Sequence, residues 1–158
     1  MFMQHSLCIV SDDYFSKYGS RYMMDNKHES RPYYFAVKSA NGIVWLVPLS
    51  SQVDKYQKSI DADESKYGKG KCIFHYVAKV KGKPSAFLIG NAIPATEKYI
   101  LRSFEICNQP YIVQDKTDIK AINSKLSRFI SLVRAGRLAP CIDILAIEKE
   151  LLSEFTFV

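Results

Sequence analysis

The feature that most constrains the fold is an Asn-Gly pair at residues 41–42, between two aromatic and β-branched runs. The run before the pair reads YYFAVKS, and the run after it reads IVWLVPL. Asn-Gly in this setting is typical of a β-hairpin, because both residues tolerate the backbone angles of a tight turn. Pro48 has no N–H for a strand ladder. The pattern therefore predicts that the second strand is an edge strand or ends there, and releases Ser50 and Ser51 into a loop.

Shorter elements are predicted on both sides of this hairpin. The apolar run at 7–10 predicts a strand, and Ser11 with two aspartates predicts the N-cap of a short helix that ends at Gly19. The polar residues 20–30 predict a loop. The runs CIFHYVAKV and SAFLIGNAI predict a second hairpin with its turn over residues 81–84.

The rest of the chain divides into a polar stretch and a helical third. Residues 54–71 are polar and show little apolar periodicity beyond Ile60, and a long polar segment in a compact domain is typically functional or disordered. Thr117-Asp118 predicts the N-cap of an amphipathic helix that runs to Gly136, and Pro140 predicts the start of a second helix. The order of elements predicts one α+β domain over residues 1–158, with an antiparallel sheet and helices mainly in the C-terminal third.

The charge balance favours a polyanionic partner. Lys and Arg number 22 against 16 Asp and Glu, which gives a formal net charge of +6. Nucleic acid is the leading partner of this kind, because tyrosines beside lysines suit unpaired bases and phosphates. The alternative is that the aromatic residues are core and the lysines only keep the protein soluble. The sequence shows no membrane-spanning stretch and no signal peptide, so we expect a cytoplasmic protein.

Familiar catalytic and metal-binding motifs are missing from the sequence. It contains no P-loop, no GxGxxG and no nucleophile elbow. Its histidines, His5, His28 and His75, have no ligand-like spacing with the four dispersed cysteines, which read as buried free thiols. We therefore expect chemistry without a metal or cofactor.

Hydroxyl and cationic residues are predicted to meet at one end of the first hairpin. Arg31 precedes the first strand and Ser50 and Ser51 end its antiparallel partner, so they lie at the same end, and Lys55 follows closely. Such a group suits an RNA phosphodiester. The cations neutralise the developing phosphorane, a hydroxyl donates a hydrogen bond, and RNA supplies its own 2′-hydroxyl nucleophile. The alternative is an ordinary polar loop with solvated surface charges.

Segments along nearly the whole chain resemble the ToxN/AbiQ family, the endoribonuclease toxins of type III toxin-antitoxin systems in bacteria and phage defence. LCIVSDDYFSKY resembles the family's strand, serine, polar pair and tyrosine at a helix start. RPYYFAVKSANGIVWLVPLSS resembles its basic-Pro-aromatic strand, small turn and strand that ends before a serine pair. AFLIGNAIPATEKYI resembles its Asn-x-Ile-Pro element, and the two C-terminal helices also fit.

The resemblance implies both a fold and an activity. The fold is the small antiparallel barrel of the MazF and Kid toxins, with added helices. The activity is metal-independent, sequence-specific cleavage of cellular mRNA that leaves a 2′,3′-cyclic phosphate and a 5′-hydroxyl and causes abortive infection. The implied partner is a repeat RNA antitoxin, often a pseudoknot, which the toxin cuts from a precursor and holds in a closed protein-RNA assembly.

The resemblance also implies roles for single residues. Ser51 matches the family's essential serine, Ser50 the residue before it, Arg31 the basic position before the proline, and Tyr14 the early active-site tyrosine. Lys55 stands further from Ser51 than the family's lysine does. We expect Arg31 and Lys55 to stabilise the pentavalent charge, Ser51 to position or protonate an oxygen, and Tyr14 to orient the nucleotide.

Further residues are predicted to contact RNA outside the catalytic group. These are Tyr33, Lys38, Tyr56, Lys58, Lys66, Lys69 and Lys71. One rival hypothesis is a non-catalytic protein that binds RNA or single-stranded nucleic acid through the same lysines and tyrosines. A second rival is a protein-interaction domain whose positive charge is incidental.

Overall fold

The computed structural model describes residues 2–155, in which four α-helices and nine strands alternate irregularly along the chain. The strands are β1 (Leu7–Val10), β2 (Pro32–Lys38), β3 (Val44–Ser50), β4 (Tyr76–Val80), β5 (Lys83–Phe87), β6 (Ile93–Ala95), β7 (Ile100–Ser103), β8 (Glu105–Ile106) and β9 (Gln109–Pro110). The helices are α1 (Asp12–Tyr18), α2 (Val53–Tyr67), α3 (Lys116–Arg134) and α4 (Ile144–Glu154). Two 3₁₀ turns span Ile89–Asn91 and Glu97–Tyr99.

The first hairpin forms as the sequence predicts. β2 and β3 pair antiparallel, and Tyr33 lies opposite Pro48. The connection is closed by backbone hydrogen bonds between Ser39 and Ile43 and from the Gly42 N–H to the Ser39 carbonyl. Gly42 has a φ of +89°, which a residue without a Cβ adopts at little cost. The Asn-Gly pair is thus confirmed as the turn signal.

The prediction that β3 ends at Pro48 or lies at an edge is wrong. β3 pairs with β2 on one side, and on the other with β6 through residues 44–46 and with β5 through residues 49–50. The Pro48 carbonyl accepts a hydrogen bond from the Leu88 N–H at 2.9 Å. Because the nitrogen and carbonyl of one strand residue point to the same side, the Pro48 nitrogen faces the place where β3 changes partner. The missing N–H therefore removes no bond to β2.

Seven strands form one antiparallel sheet in the order β4-β5-β3-β2-β1-β7, with β6 also paired to β3. β8 and β9 form a separate two-stranded ribbon. The second hairpin is confirmed, but its turn is the pair Lys81-Gly82, and the apolar run after β5 breaks at a 3₁₀ turn before β6. The sheet and the C-terminal helices confirm the predicted α+β class.

Three helices begin at side-chain caps. Ser11 caps α1 by accepting a hydrogen bond from the Asp13 N–H, as predicted. Asp115, not the predicted 117–118 pair, caps α3 through the Asp118 N–H. Asp143 caps α4, so Pro140 lies in the connection before the helix. No helix within residues 2–155 has the length and apolar character to cross a bilayer.

The polar stretch after β3 is a helix, which the sequence did not predict. α2 spans 15 residues, and Ile60 is its one buried residue within the described chain. Tyr56 lies half-buried one helical turn before Ile60. An apolar stripe this narrow gives almost no periodic signal, because two positions are too few to separate a helix from a loop. α2 packs on β4 and β5 through that stripe.

Candidate active site

A cleft of about 280 Å³ opens where β2 begins and β3 ends. It is lined by Leu7, Lys27, Ser30, Arg31, Pro32, Leu49, Ser50, Ser51, Val80, Lys83, Ser85, Phe104 and Ile106. The lining combines an apolar floor with four serines and three cationic side chains. The structure therefore confirms that Arg31 and the serine pair meet at one end of the first hairpin.

Arg31 is held in the wall of the cleft by backbone carbonyls. Its side chain is almost fully buried, with the residue 6% exposed. Nε donates to the carbonyl of Asp25 at 2.6 Å and Nη1 donates to the carbonyl of Leu49 at 2.7 Å. Nη2 makes no hydrogen bond among residues 2–155. A guanidinium fixed on one side and with donors left on the other can bind a phosphate oxygen.

The segment before Arg31 is a left-handed turn. Lys27, His28 and Glu29 have φ values of +50°, +56° and +61°, a conformation that costs about 1–2 kcal/mol for each such residue. The Asn26 carbonyl accepts the N–H groups of both Ser30 and Arg31 and so closes the turn. This geometry brings Lys27 and Ser30 to the cleft beside Arg31.

Asn26 also ties this turn to the first strand and helix. Its buried side-chain Nδ2 donates to the Val10 carbonyl and to Asp12 Oδ1, both at 2.9 Å. The Glu29 carboxylate accepts a hydrogen bond from the Asp12 N–H at 2.8 Å. The strained turn is therefore held by contacts from β1 and the start of α1, as is common for segments that position a site.

The two serines have different surroundings. Ser50 is 9% exposed and its Oγ accepts a hydrogen bond from the Gln52 N–H at 3.2 Å. Ser51 is exposed, and its Oγ has no hydrogen-bond partner in the described part of the chain. Ser51 is therefore the serine whose hydroxyl is available to a ligand in the cleft.

Lys27, Lys83 and Ser85 line the cleft but were not predicted from the sequence. Lys83 and Ser85 reach it because β5 pairs with β3, with Ala86 opposite Ser50. That strand pairing is the signal that would have identified them. β3 ends at Ser50, opposite Ala86, so the residues of β5 before Ala86 extend beyond the end of β3 and reach the cleft. Lys27 gives no such signal, because its position depends on an irregular loop.

Lys55 does not line the cleft with Arg31 and the serines. It is exposed on the first turn of α2, and its Nζ lies 5.3 Å from the centroid of the neighbouring Tyr56 ring. The Tyr56 ring packs on His75 at 5.0 Å. Burial lowers the pKa of His75, while the nearby charge of Asp63 raises it and that of Lys55 lowers it. Lys55 therefore lies beside the Tyr56 ring and outside the cleft.

Tyr14 and Tyr33 are core residues in this structure. Tyr14 is fully buried and its hydroxyl donates to the Pro94 carbonyl at 2.7 Å. Tyr33 is 1% exposed, and burial raises the pKa of both hydroxyls. Neither ring is open to a nucleotide in this conformation, so their placement gives no support to the predicted RNA contacts. The physical reason is that both rings pack among other aromatic side chains, Tyr14 against Tyr18 and Tyr99, and Tyr33 against Phe15.

The predicted RNA-binding lysines remain at the surface. Lys58, Lys66, Lys69 and Lys71 are all exposed on α2 or in the loop after it. Lys38 is also exposed and pairs with Glu97 at 3.5 Å. It stands at the far end of β2, about 20 Å from Arg31 at the usual rise of a strand. Lys38 therefore does not share the cleft.

Comparisons with known proteins agree with this fold. No family model and no curated protein matches the sequence. Thirteen solved chains match the structure. One of them, described as "A processed non-coding RNA regulates a bacterial antiviral system", aligns with a TM-score of 0.65 over 94% of this chain and 97% of that chain, at 15% identity. The two proteins share their fold over nearly their whole length.

Proposed function

We propose that this chain is an endoribonuclease toxin of a type III, RNA-regulated antiviral toxin-antitoxin system. The observation that carries the proposal is the cleft in which Arg31, fixed by two backbone carbonyls, lies with the open hydroxyl of Ser51. The shared fold with a protein described as part of an RNA-regulated bacterial antiviral system supports it.

The proposed reaction uses the 2′-hydroxyl of the RNA as nucleophile. The 2′ oxygen loses its proton and bonds to phosphorus, the bond from phosphorus to the 5′ oxygen breaks, and the 5′ oxygen gains a proton. The products are a 2′,3′-cyclic phosphate and a 5′-hydroxyl. Arg31, Lys27 and Lys83 would stabilise the charge that develops on the phosphorane, and Ser51 would donate a hydrogen bond to one of its oxygens.

This assignment needs no metal ion, because the substrate supplies the nucleophile and three cationic side chains supply the positive charge. Compared with the roles predicted from the sequence, Lys27 and Lys83 take the place of Lys55. Tyr14 has no part in it, since its ring is buried and its hydroxyl is bonded to a backbone carbonyl.

The proposed partner is a repeat RNA antitoxin that the protein processes and then holds in a closed protein-RNA assembly in the cytoplasm. A net charge of +6 supports binding to such a polyanion. The exposed lysines of α2 and the following loop would bind its phosphates, with cellular mRNA as the substrate when the antitoxin is absent.

The test is an RNA cleavage assay in excess EDTA. Purified protein stripped of RNA is incubated with end-labelled cellular RNA beside two variants, Ser51→Ala and the control Ser124→Ala, an exposed serine on α3. We expect the wild type and Ser124→Ala to cut and leave cyclic-phosphate ends, and Ser51→Ala to leave the RNA intact. Equal cutting by Ser51→Ala would refute the assignment of the site.

A second candidate function is RNA binding without catalysis. It is favoured by the exposed Tyr67, 62% accessible with the Lys66 ammonium 5.0 Å from its ring centroid, at the end of α2 and just before Lys69 and Lys71 of the following loop. Aromatic rings and lysines in this arrangement bind single strands without sequence preference. This alternative predicts salt-sensitive retention of RNA and no new RNA ends in the same assay.

A further inference from the structure

A second pocket, separate from the cleft, is built from aromatic rings. It has a volume of about 250 Å³, against about 30 Å³ for one water molecule, and lies between the end of α3 and the 3₁₀ turn after β5. Tyr22, Phe74 and Phe129 supply rings to its lining, with Leu138 and Pro140 beside them. It is therefore large and apolar enough for a planar ring system.

Phe74 is fixed in place from two sides. Its carbonyl accepts the Gly90 N–H at 3.0 Å, and its ring meets that of Phe129 edge-on with centroids 6.1 Å apart. A Cβ at residue 90 would lie 3.2 Å from the Phe74 ring, so glycine allows this close approach. The pocket thus has a rigid aromatic surface.

Tyr22 is the exposed ring of the pocket. It is 46% accessible, and the Arg21 guanidinium lies 4.8 Å from its centroid and donates to its hydroxyl at 2.7 Å. Tyr22 belongs to the same loop that supplies Lys27 and Ser30 to the cleft. Among the described residues, no acidic side chain lines the pocket.

Asn91 supplies the polar group. It lines the pocket, and its side-chain amide makes no hydrogen bond among residues 2–155. An asparagine amide offers one donor and one acceptor side by side, which matches the edge of a nucleobase and pairs with adenine in a bidentate manner. An apolar side chain of a protein partner would instead bury this amide without a hydrogen bond, which is unfavourable.

We propose that this pocket binds one unpaired nucleobase of the RNA, stacked on Tyr22 and Phe74 and hydrogen-bonded by Asn91. Arg21 provides a positive charge for the adjoining phosphate. Stacking on aromatic side chains with hydrogen bonds to the base edge is the general way in which proteins bind unpaired RNA bases. The inference rests on the proposed function to the extent that RNA is the ligand, and assigns to it a base-recognition site outside the cleft.

The test separates base recognition from phosphate binding and from cleavage. The probes are a fluorescein-labelled 2′-O-methyl oligoadenylate, which cannot be cut because it lacks the nucleophile, and an abasic sugar-phosphate oligomer of equal length. Affinity for both is measured by fluorescence anisotropy with the wild type, Tyr22→Ala, Asn91→Leu and the control Phe155→Ala. Phe155 is a matched control because it is an aromatic residue with the same 46% exposure.

We expect Tyr22→Ala to weaken binding of the oligoadenylate about five-fold or more, as for the loss of one stacked base, and to leave binding of the abasic oligomer unchanged. Asn91→Leu removes the amide without adding a charge, so it should also weaken only the oligoadenylate, and Phe155→Ala should change neither affinity. Equal affinity of the wild type for both probes, or equal weakening of both by Tyr22→Ala, would overturn the inference.

The outcome is distinguishable from a failure of the proposed function. If the protein cleaves unmodified RNA in EDTA but binds the two probes equally, the base-recognition role of the pocket is refuted and the proposed ribonuclease activity is supported. If binding depends on the base and on Tyr22 but unmodified RNA is not cleaved, the role of the pocket is supported and the catalytic role of the cleft is refuted.

Discussion

The guanidinium of Arg31 donates a hydrogen bond to the backbone carbonyl of Leu49, 2.7 Å away, in the residue just before the serine pair. This bond joins the start of β2 to the end of β3. The cation of the proposed site is therefore also part of the connection that fixes the position of Ser50 and Ser51, so changes at Arg31 affect both cleavage and stability.

Arg31→Lys keeps the positive charge and removes the planar fork. A lysine ammonium cannot donate to the carbonyls of Asp25 and Leu49 in the geometry that Nε and Nη1 use. We expect cleavage to fall about 100-fold and the free energy of unfolding to fall by about 2 kcal/mol, because a buried carbonyl loses a charged donor. Single-turnover cleavage and urea unfolding measure the two effects. Arg128→Lys, a change at an exposed arginine of α3 outside the cleft, should alter neither, and normal cleavage by Arg31→Lys would contradict the proposed role.

The two serines should respond differently to alanine. Ser51→Ala removes an exposed hydroxyl without a partner among the described residues, so we expect at least a 100-fold loss of cleavage with unchanged stability. Ser50→Ala removes the acceptor of the Gln52 N–H and should lower the free energy of unfolding by about 1 kcal/mol. Thermal unfolding followed by circular dichroism measures stability, and the cleavage assay measures activity. Equal losses of stability and of cleavage in the two variants would contradict the assignment.

Lys83→Ala should slow cleavage more than Lys55→Ala. Lys83 lines the cleft and Lys55 does not. With one of three cations removed from the phosphorane, we expect a loss of about 10-fold or more for Lys83→Ala, and little change for Lys55→Ala. Lys81→Ala on the same hairpin is the matched control, because it is exposed and lies outside the cleft. A larger loss of cleavage for Lys55→Ala than for Lys83→Ala would contradict this assignment and support Lys55, the residue predicted from the sequence.

Glu154 should give the protein an acid-sensitive stability. Burial opposes ionisation of Glu154, but hydrogen bonds from Lys17, Tyr99 and Tyr18 outweigh it and lower its pKa from 4.5 to about 2. A carboxylate whose pKa is lower in the folded state stabilises that state above its unfolded pKa. This stabilisation is therefore complete above about pH 4.5 and is lost as the pH falls towards 2.

The matching variant is Glu154→Gln. At pH 7 we expect its free energy of unfolding to be about 2 kcal/mol below that of the wild type, since two tyrosine hydroxyls lose a charged acceptor. Towards pH 2 the two proteins should converge. Urea unfolding at several pH values measures the difference, and Glu150→Gln, exposed on the same helix, should show none. A difference that stays constant with pH would contradict this account.

Much of the fold followed from patterns that are local in the sequence. The Asn-Gly turn, the Ser11 cap with Gly19 at the helix end, and the Lys81-Gly82 turn all act between residues a few positions apart, so their chemistry is visible before folding. The same holds for the long amphipathic helix α3. The errors occurred where local signals are weak or ambiguous, as in α2, which has one buried residue, and at Pro48, whose strand has partners on both sides.

Only the part of the candidate site that lies on the first hairpin was predictable from the sequence. Antiparallel pairing of two neighbouring strands places Arg31 beside Ser50, and the sequence alone contains that relationship. It does not contain the pairing of β3 with β5, which brings Lys83 to the cleft, nor the direction in which α2 leaves the sheet, which keeps Lys55 out of it.

The sequence by itself determined the hairpin turns, the Ser11 cap of α1 and the meeting of a cation with two hydroxyls, because each depends on residues close along the chain or on the pairing of two neighbouring strands. The tertiary structure alone decided which lysines surround those hydroxyls and that Tyr14 lies in the core. The physical reason is that both depend on contacts between segments distant in sequence, where burial of apolar area selects one packing and the side chains near the site follow from it.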